Sequence, residues 1–335
     1  MLESADIPGI AGMRGDRRMI KRLKLAVKDA LAYGIAGALP GRVMKDKRYF
    51  PLWERHGFHV LPAHFYEPVP VANDLPEGLW SHPTTMPGIR MDAAPQLALL
   101  AEFTLFKAEY DALPHQPTGV PGRFHLDNPS FRSVDAEALY CMIRRFRPRR
   151  VLEIGSGNST FLAAQAILKN RDEDGLDCDL TAIEPYPREE LRKGLPGLTR
   201  LMATPVQQVP LSEFESLGKD DILFIDSSHV LKIGSDVQYE YLEILPRLKP
   251  GVLIHVHDVF LPAEYPRKWV KDHHVFWNEQ YLLQAFLAFN SHFEIIFAGS
   301  FLHMQHPDRL ESAFASYRRD KEWPGSFWMR RVQPG

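Results

Sequence analysis

Apolar residues first recur at helical spacing near the start of the chain. Met19, Leu23, Ala26/Val27 and Ala30/Leu31 form one stripe, which predicts an amphipathic helix over residues 14–35, ended by Gly34, Gly37 and Pro40-Gly41. A second helical run covers 95–112. A third covers 135–146, with Ala136 to Ile143 as its apolar face and Ser133 placed to cap it. Beyond Pro148 the pattern changes to short apolar runs separated by helical stretches. Strands are expected at 150–154, 179–183, about 198–202, 221–226 and 251–257, then at 292–298 and 326–332. Strand and helix in alternation predict an α/β fold, a doubly wound, Rossmann-like parallel sheet with helices on both faces.

The first third of the chain is different. Of 27 prolines, most of the dense stretch lies between about 40 and 130, which predicts an irregular, partly helical extension. Residues 1–124 are expected to form it, as a substrate lid or an oligomerisation element, and 125–335 to form the catalytic domain. His64-Phe-Tyr-Glu-Pro-Val-Pro70 reads as extended, because residues before proline avoid the helical region. His64 and Tyr66 are there either to line a substrate mouth or to strap the core. The helix over 14–35 carries Arg14, Arg17, Arg18, Lys21, Arg22, Lys24 and Lys28 around its apolar stripe. Such a helix serves docking or oligomerisation, or lies on an anionic membrane.

Composition narrows the setting. The chain has 335 residues, 45% apolar and 24% charged, with formal net charge −2, so nothing draws it as a whole to nucleic acid or to a membrane. Cys141 and Cys178 give neither a disulfide framework nor a zinc pattern, which suits a reducing, cytoplasmic setting. Glu3 and Asp6 interrupt any secretory leader, and no apolar run approaches the roughly 18 residues of a membrane span. The expected partner is a small-molecule acceptor, with a homo-oligomer as a further option.

The most informative stretch is Val151-Leu-Glu-Ile-Gly-Ser-Gly-Asn-Ser-Thr160, a buried strand running into a glycine turn and then a helix. Gly155 and Gly157 let backbone N–H groups approach a ligand, and the following helix aims its N-terminus at the same place. No lysine follows, so the turn is not a P-loop. Thr160 stands where a dinucleotide fingerprint needs its third glycine. The remaining pattern, acidic-x-Gly-x-Gly from Glu153, closely resembles the first motif of class I S-adenosylmethionine-dependent methyltransferases. That resemblance implies a seven-stranded sheet closed by a late antiparallel hairpin, and S-adenosylmethionine as cofactor. Glu153, Gly155, Ser156, Gly157 and Ser159 would form the turn's share of the site.

Further residues extend it. Leu180-Thr-Ala-Ile-Glu184 is a strand ending in a carboxylate one βαβ step later, placed to bind a ribose diol. By the resemblance, Val206 and Gln207 would contact adenine; the sequence does not separate Gln207 from Gln208. Ile222-Leu-Phe-Ile-Asp226-Ser-Ser-His229 and Leu253-Ile-His-Val-His257-Asp258 are adjacent strands ending in polar clusters. Asp226 is expected at the cofactor as well. Asp226, His257 and Asp258 can hold a divalent cation, while His229 can act as general base on an acceptor hydroxyl, with Asp226 and His257 in support. Otherwise these groups only bond one another, with His257 and His255 as core histidines.

The block from Asp226-Ser-Ser-His-Val through Pro250-Gly-Val-Leu-Ile-His-Val-His-Asp to Trp277-Asn-Glu resembles bacterial methyltransferases near the cephalosporin hydroxylase and macrolide sugar O-methyltransferase families. The resemblance implies Mg²⁺ at Asp226 and Asp258. His257 stands where those relatives often carry an acid, which leaves room for Mn²⁺ or for an Fe²⁺ triad. Trp277 and Glu279 are expected at the substrate, and the aromatic loop 260–269 as a lid. The function expected is O-methylation of a small sugar or natural-product hydroxyl. The alternatives are a metal-dependent oxygenase or hydroxylase on the same scaffold, or a membrane-surface or partner-binding protein with a vestigial cofactor site.

Overall fold

The computed structural model describes residues 10–38, 41–44 and 46–333. Strands β1 (Arg150–Ile154), β2 (Asp179–Ile183), β3 (Arg200–Met202), β4 (Ile222–Ile225), β5 (Leu253–Val256), β6 (Phe293–Ala298) and β7 (Phe327–Arg331) form one sheet in the order β3-β2-β1-β4-β5-β7-β6. β1 to β5 are parallel, and β7 inserts antiparallel between β5 and β6. All seven expected strands are present, within two residues of their expected bounds.

Alternation along each strand divides the sheet between two cores. Val151, Leu180, Phe224 and Trp328 face one side and pack with helices α3 (Asp135–Phe146) and α4 (Asn158–Asp174). Leu152, Ile183, Ile225 and Met329 face the other side, against Tyr241 and Leu283. Leu283 belongs to α5 (Glu279–Leu287). Buried on both faces, β4 is apolar throughout.

The chain divides into two compact units after Val71, not after 124 as expected. The physical reason lies in α2 (Ala93–Phe103). Leu100 and Phe103, with Tyr110 and Phe124, are buried in the same core as α3 and the sheet. Gln96 on α2 accepts from the Ala298 backbone at 2.8 Å, and the Tyr110 hydroxyl donates to the Ala313 carbonyl at 2.8 Å. The expected helix 95–112 is also interrupted. It tightens at Thr104–Phe106, where the Thr104 hydroxyl bonds back to the Ala101 carbonyl at 2.6 Å. Ser133 does not cap α3: Val134 precedes it, and the Ser133 hydroxyl pairs with that of Ser316 at 2.7 Å.

In the first unit the amphipathic helix is α1, Ile10–Ala38, longer than the stripe alone predicts. Residues 64–70 form a turn, with Glu67 N–H donating to the His64 carbonyl at 2.9 Å, rather than an extended segment. Three consecutive rings pack on one another there: His64 and Tyr66 each stack against Phe65, with centroids 4.2 and 4.3 Å apart.

Candidate cofactor and metal site

The glycine turn leaves β1 between two neighbours that hold it tightly. Gly155 N–H donates to the Ile183 carbonyl, and Asp226 N–H to the Ile154 carbonyl, both at 2.9 Å. Gly155 has φ +83°, and a Cβ there would lie 1.9 Å from the Asp226 carbonyl oxygen. Only glycine satisfies both conditions. Gly157 is extended (φ 177°), and a Cβ there would meet only the Arg188 guanidinium at 3.7 Å, so its freedom serves the ligand side of the turn. Gly157 N–H is capped by the Thr160 hydroxyl at 2.9 Å, and α4 begins directly behind it.

Glu153 is buried beneath this turn. Its Oε1 accepts from the Ser159 hydroxyl at 2.6 Å, and its Oε2 has no partner. Burial pushes its carboxyl up to about 8, against the pull of Ser159 and Thr160. A buried, half-satisfied carboxyl and the buried, unpartnered Ser156 hydroxyl beside a helix N-terminus fit a ligand with an ammonium and a carboxylate. Ser159, in contrast, is committed to Glu153. Glu184 at the end of β2 accepts from Tyr186 N–H at 2.7 Å and Ser156 N–H at 3.3 Å, which aims its remaining lone pairs across the turn. Val206 is buried against Ile183 and Leu152, and the Gln207 amide is held by the Gly234 carbonyl at 3.0 Å.

The ends of β4 and β5 carry the charged centre. Single donor atoms of Asp226, His229 and Asp258 lie within 4.8 Å of one another. His229 Nε2 is 3.3 Å from Asp226 Oδ1 and 3.7 Å from Asp258 Oδ2. His229 and Asp258 both have left-handed backbones, with φ 60° and 54°, a strained conformation for residues with a side chain and one that clusters at functional sites. Two carboxylates and an imidazole suit a divalent cation. The expected ligand His257 approaches the same two carboxylates: its Nδ1 is 3.3 Å from Asp226 Oδ1 and 3.7 Å from Asp258 Oδ2, while its Nε2 faces Asp135 at 3.4 Å and its ring packs on Phe131. His229 meets those two oxygens at the same distances from the other strand end.

Burial alone would strip the charge from this centre, and its geometry opposes that. Desolvation works against charge on His229, but Asp226 and Glu279 outweigh it and push its pKa up to about 10. Asp226 is likewise penalised by burial, yet His257 and His229 hold it well below the usual carboxylate range. Burial raises Asp258 despite those two imidazoles. His255 is the core histidine: burial and the neighbouring His257 keep it well below its ordinary value, and its Nε2 meets the Ser326 hydroxyl at 2.9 Å.

Two functional carboxylates were not assigned these roles from sequence. Glu279, expected as a substrate contact, is buried at the start of α5 and meets His229 Nδ1 at 2.8 Å. The His229 carbonyl accepts from the Asn278 and Glu279 N–H groups at 3.1 and 3.2 Å, which fixes the loop to that helix. Asp135, which faces His257, also accepts from Gly325 and Ser326 N–H, and no local motif marks it.

The loop expected as a lid is a packed wall. Phe260, Tyr265 and Val270 are buried together with the half-buried Trp269 and Trp277. Gln280 ties the loop down at Phe260 N–H and at the Tyr265 hydroxyl, both at 3.1 Å. Trp277 packs on the His229 ring, with centroids 4.3 Å apart. A groove of about 710 Å³ lies elsewhere, between α2 and the β6 edge, lined by residues such as Leu99, Arg145 and Phe293.

Residues 152–259 match the family model of a methyltransferase domain. An uncharacterized protein of Archaeoglobus fulgidus is 30% identical over 168 residues, which are 48% of this chain and 75% of that one. Two solved structures of CmcI, one apo and one with Mg and S-adenosylmethionine, are 13% and 15% identical. They cover 76% and 75% of this chain and 91% and 90% of theirs, with TM-scores of 0.34 and 0.31. Because the family match runs from inside β1 to just past β5, it takes in the glycine turn and both polar strand ends, and the chain belongs to the class I S-adenosylmethionine-dependent methyltransferases.

Proposed function

We propose that this methyltransferase acts on the hydroxyl of a small polar acceptor, a sugar or natural product, in the cytoplasm, with a divalent cation at Asp226 and Asp258 and with His229 as the general base. The observation that carries this reading is the convergence of those three donors beside the glycine turn, where the Asp226 backbone lies directly against Gly155. An alcohol is a poor nucleophile near neutral pH, so a site for O-methylation needs a group that lowers its pKa or takes its proton. Bound at the turn, S-adenosylmethionine supplies the electrophilic methyl group. A cation such as Mg²⁺ or Mn²⁺ on Asp226 and Asp258 would supply Lewis acidity at the acceptor oxygen.

The chain's own residues then have distinct tasks. Glu153, Ser156, Gly157 and Glu184 receive the cofactor's polar ends, with Val206 and Gln207 at its base. Asp226 and Asp258 orient the acceptor hydroxyl. His229 presents Nε2 to the same point and can accept a proton there only when it is not already the imidazolium that Asp226 and Glu279 favour. Neutralising those carboxylates releases it, which links base and cation in one device. Trp277 forms an apolar floor for the acceptor.

The test is methyl transfer from labelled cofactor to a panel of sugar and phenolic hydroxyls. EDTA should abolish turnover, and Mg²⁺ or Mn²⁺ should restore it. Transfer confined to nitrogen or carbon acceptors would reject the hydroxyl reading, and EDTA-resistant turnover would reject the cation.

A further inference from the structure

We infer that α1 lies on the surface of an anionic lipid bilayer and carries the enzyme to it. The helix has 29 residues, about 43 Å at 1.5 Å per residue. Every described side chain from Lys21 to Ala38 is exposed, so its apolar stripe is not covered by the other described residues of the first unit. Leu23, Val27 and Leu31, spaced four residues apart, are 67%, 52% and 60% exposed. An amphipathic helix in water draws its stability from covering such a stripe.

The charge beside the stripe selects the cover. Lys21, Lys24 and Lys28 recur at spacings of three and four along one flank of the stripe, and Arg14, Arg17, Arg18 and Arg22 add to the basic sequence. Only Asp16 and Asp29 oppose them. A second copy of α1 would bring its own cations alongside, with almost no acids to pair with them. An anionic bilayer accepts the apolar stripe between its acyl chains and neutralises the basic flank at its headgroups. Tyr33, 81% exposed near the end of the helix, has the ring with a polar tip that favours the interface. Among the described residues no helix is long and apolar enough to cross a membrane, so α1 lies in the interface instead of spanning.

The full chain should float with vesicles of phosphatidylcholine and phosphatidylglycerol in equal parts, and should stay behind with phosphatidylcholine alone. Lys21→Gln/Lys24→Gln/Lys28→Gln should weaken the partition on the order of a hundredfold, from roughly fivefold per cation. Leu23→Glu/Leu31→Glu should abolish flotation. In both variants affinity for S-adenosylmethionine should be unchanged, which shows that the catalytic unit is intact and separates this result from the identity of the acceptor. Absence of flotation overturns the inference, as does equal binding to both vesicles. A dimer in light scattering that Leu23→Glu/Leu31→Glu dissolves, with no flotation by the parent chain, would assign the stripe to a second copy instead.

Discussion

His229 Nδ1 lies 2.8 Å from Glu279 Oε2, and both residues are buried. The pair fixes which imidazole nitrogen faces the centre. Nδ1–H donates to Glu279, and Nε2 is left toward Asp226 and Asp258. A second carboxylate behind an imidazole raises its basicity and holds its ring. Glu279→Gln keeps an acceptor of the same shape but removes the charge. Methyl transfer and divalent-cation affinity should both fall about 10- to 100-fold, with cofactor affinity unchanged in calorimetry. Unaltered kinetics and cation affinity would leave Glu279 as a helix-start residue only.

Removing the ring itself is the harsher change. His229→Ala should cost about two to four decades in the rate of methyl transfer, the range for a positioned proton acceptor. Cofactor binding should persist, because the imidazole sits beyond the glycine turn. Calorimetry with the demethylated cofactor product, alongside single-turnover rates, separates the two. Asp258→Asn should weaken cation binding while leaving that product's affinity intact.

The two glycines of the turn should respond differently to alanine. At Gly155 the left-handed backbone costs on the order of 1–3 kcal/mol, and the contact with the Asp226 carbonyl adds to it, so the variant should unfold at lower denaturant. At Gly157 the protein side is open and φ is ordinary. Its stability should change by less than about 0.5 kcal/mol while cofactor affinity drops at least about tenfold. Equal loss of stability in both variants would show that the turn is built for the fold alone.

The sheet was legible because it is written locally. β4 is a continuous apolar run, β1 and β5 are apolar runs interrupted by Glu153 and His255, and all three lead into polar residues, as strands buried on both faces do. The glycine turn and the carboxylate of Glu184 follow from spacing along one βαβ unit. What could not be read depends on distant pairing. Asp135 meets His257 across more than a hundred residues, and the left-handed backbones at His229 and Asp258 are no more local. Those backbones are set by α5 and by Gly325, whose Cβ would stand 3.0 Å from the Asp258 Cα. The early start of the second unit, at Ala72, was not read for a related reason. The prolines around α2 suggested irregular chain, while the burial of Leu100 and Phe103 in the sheet core decided the boundary.

A buried carboxyl on α3 should leave a signature in stability against pH. Glu137 is wholly enclosed: Oε1 accepts from the Ser316 hydroxyl, and Oε2 has no partner. Burial pushes its pKa up from 4.5 to about 7, against the hydrogen bonds from Ser316 and Ser133. The sign follows from proton binding. Between pH 4.5 and 7 the folded chain keeps this proton while the unfolded chain releases it, so folding is favoured at low pH and stability falls as pH rises through that window. A shift of that size corresponds to about 3 kcal/mol, lost by pH 8. Glu137→Gln keeps the shape of the neutral acid and cannot ionise. Urea midpoints should therefore nearly coincide for the two proteins at pH 5, and the Gln variant should be the more stable at pH 8. Parallel stability curves across that range would mean that Glu137 is solvated or paired in solution.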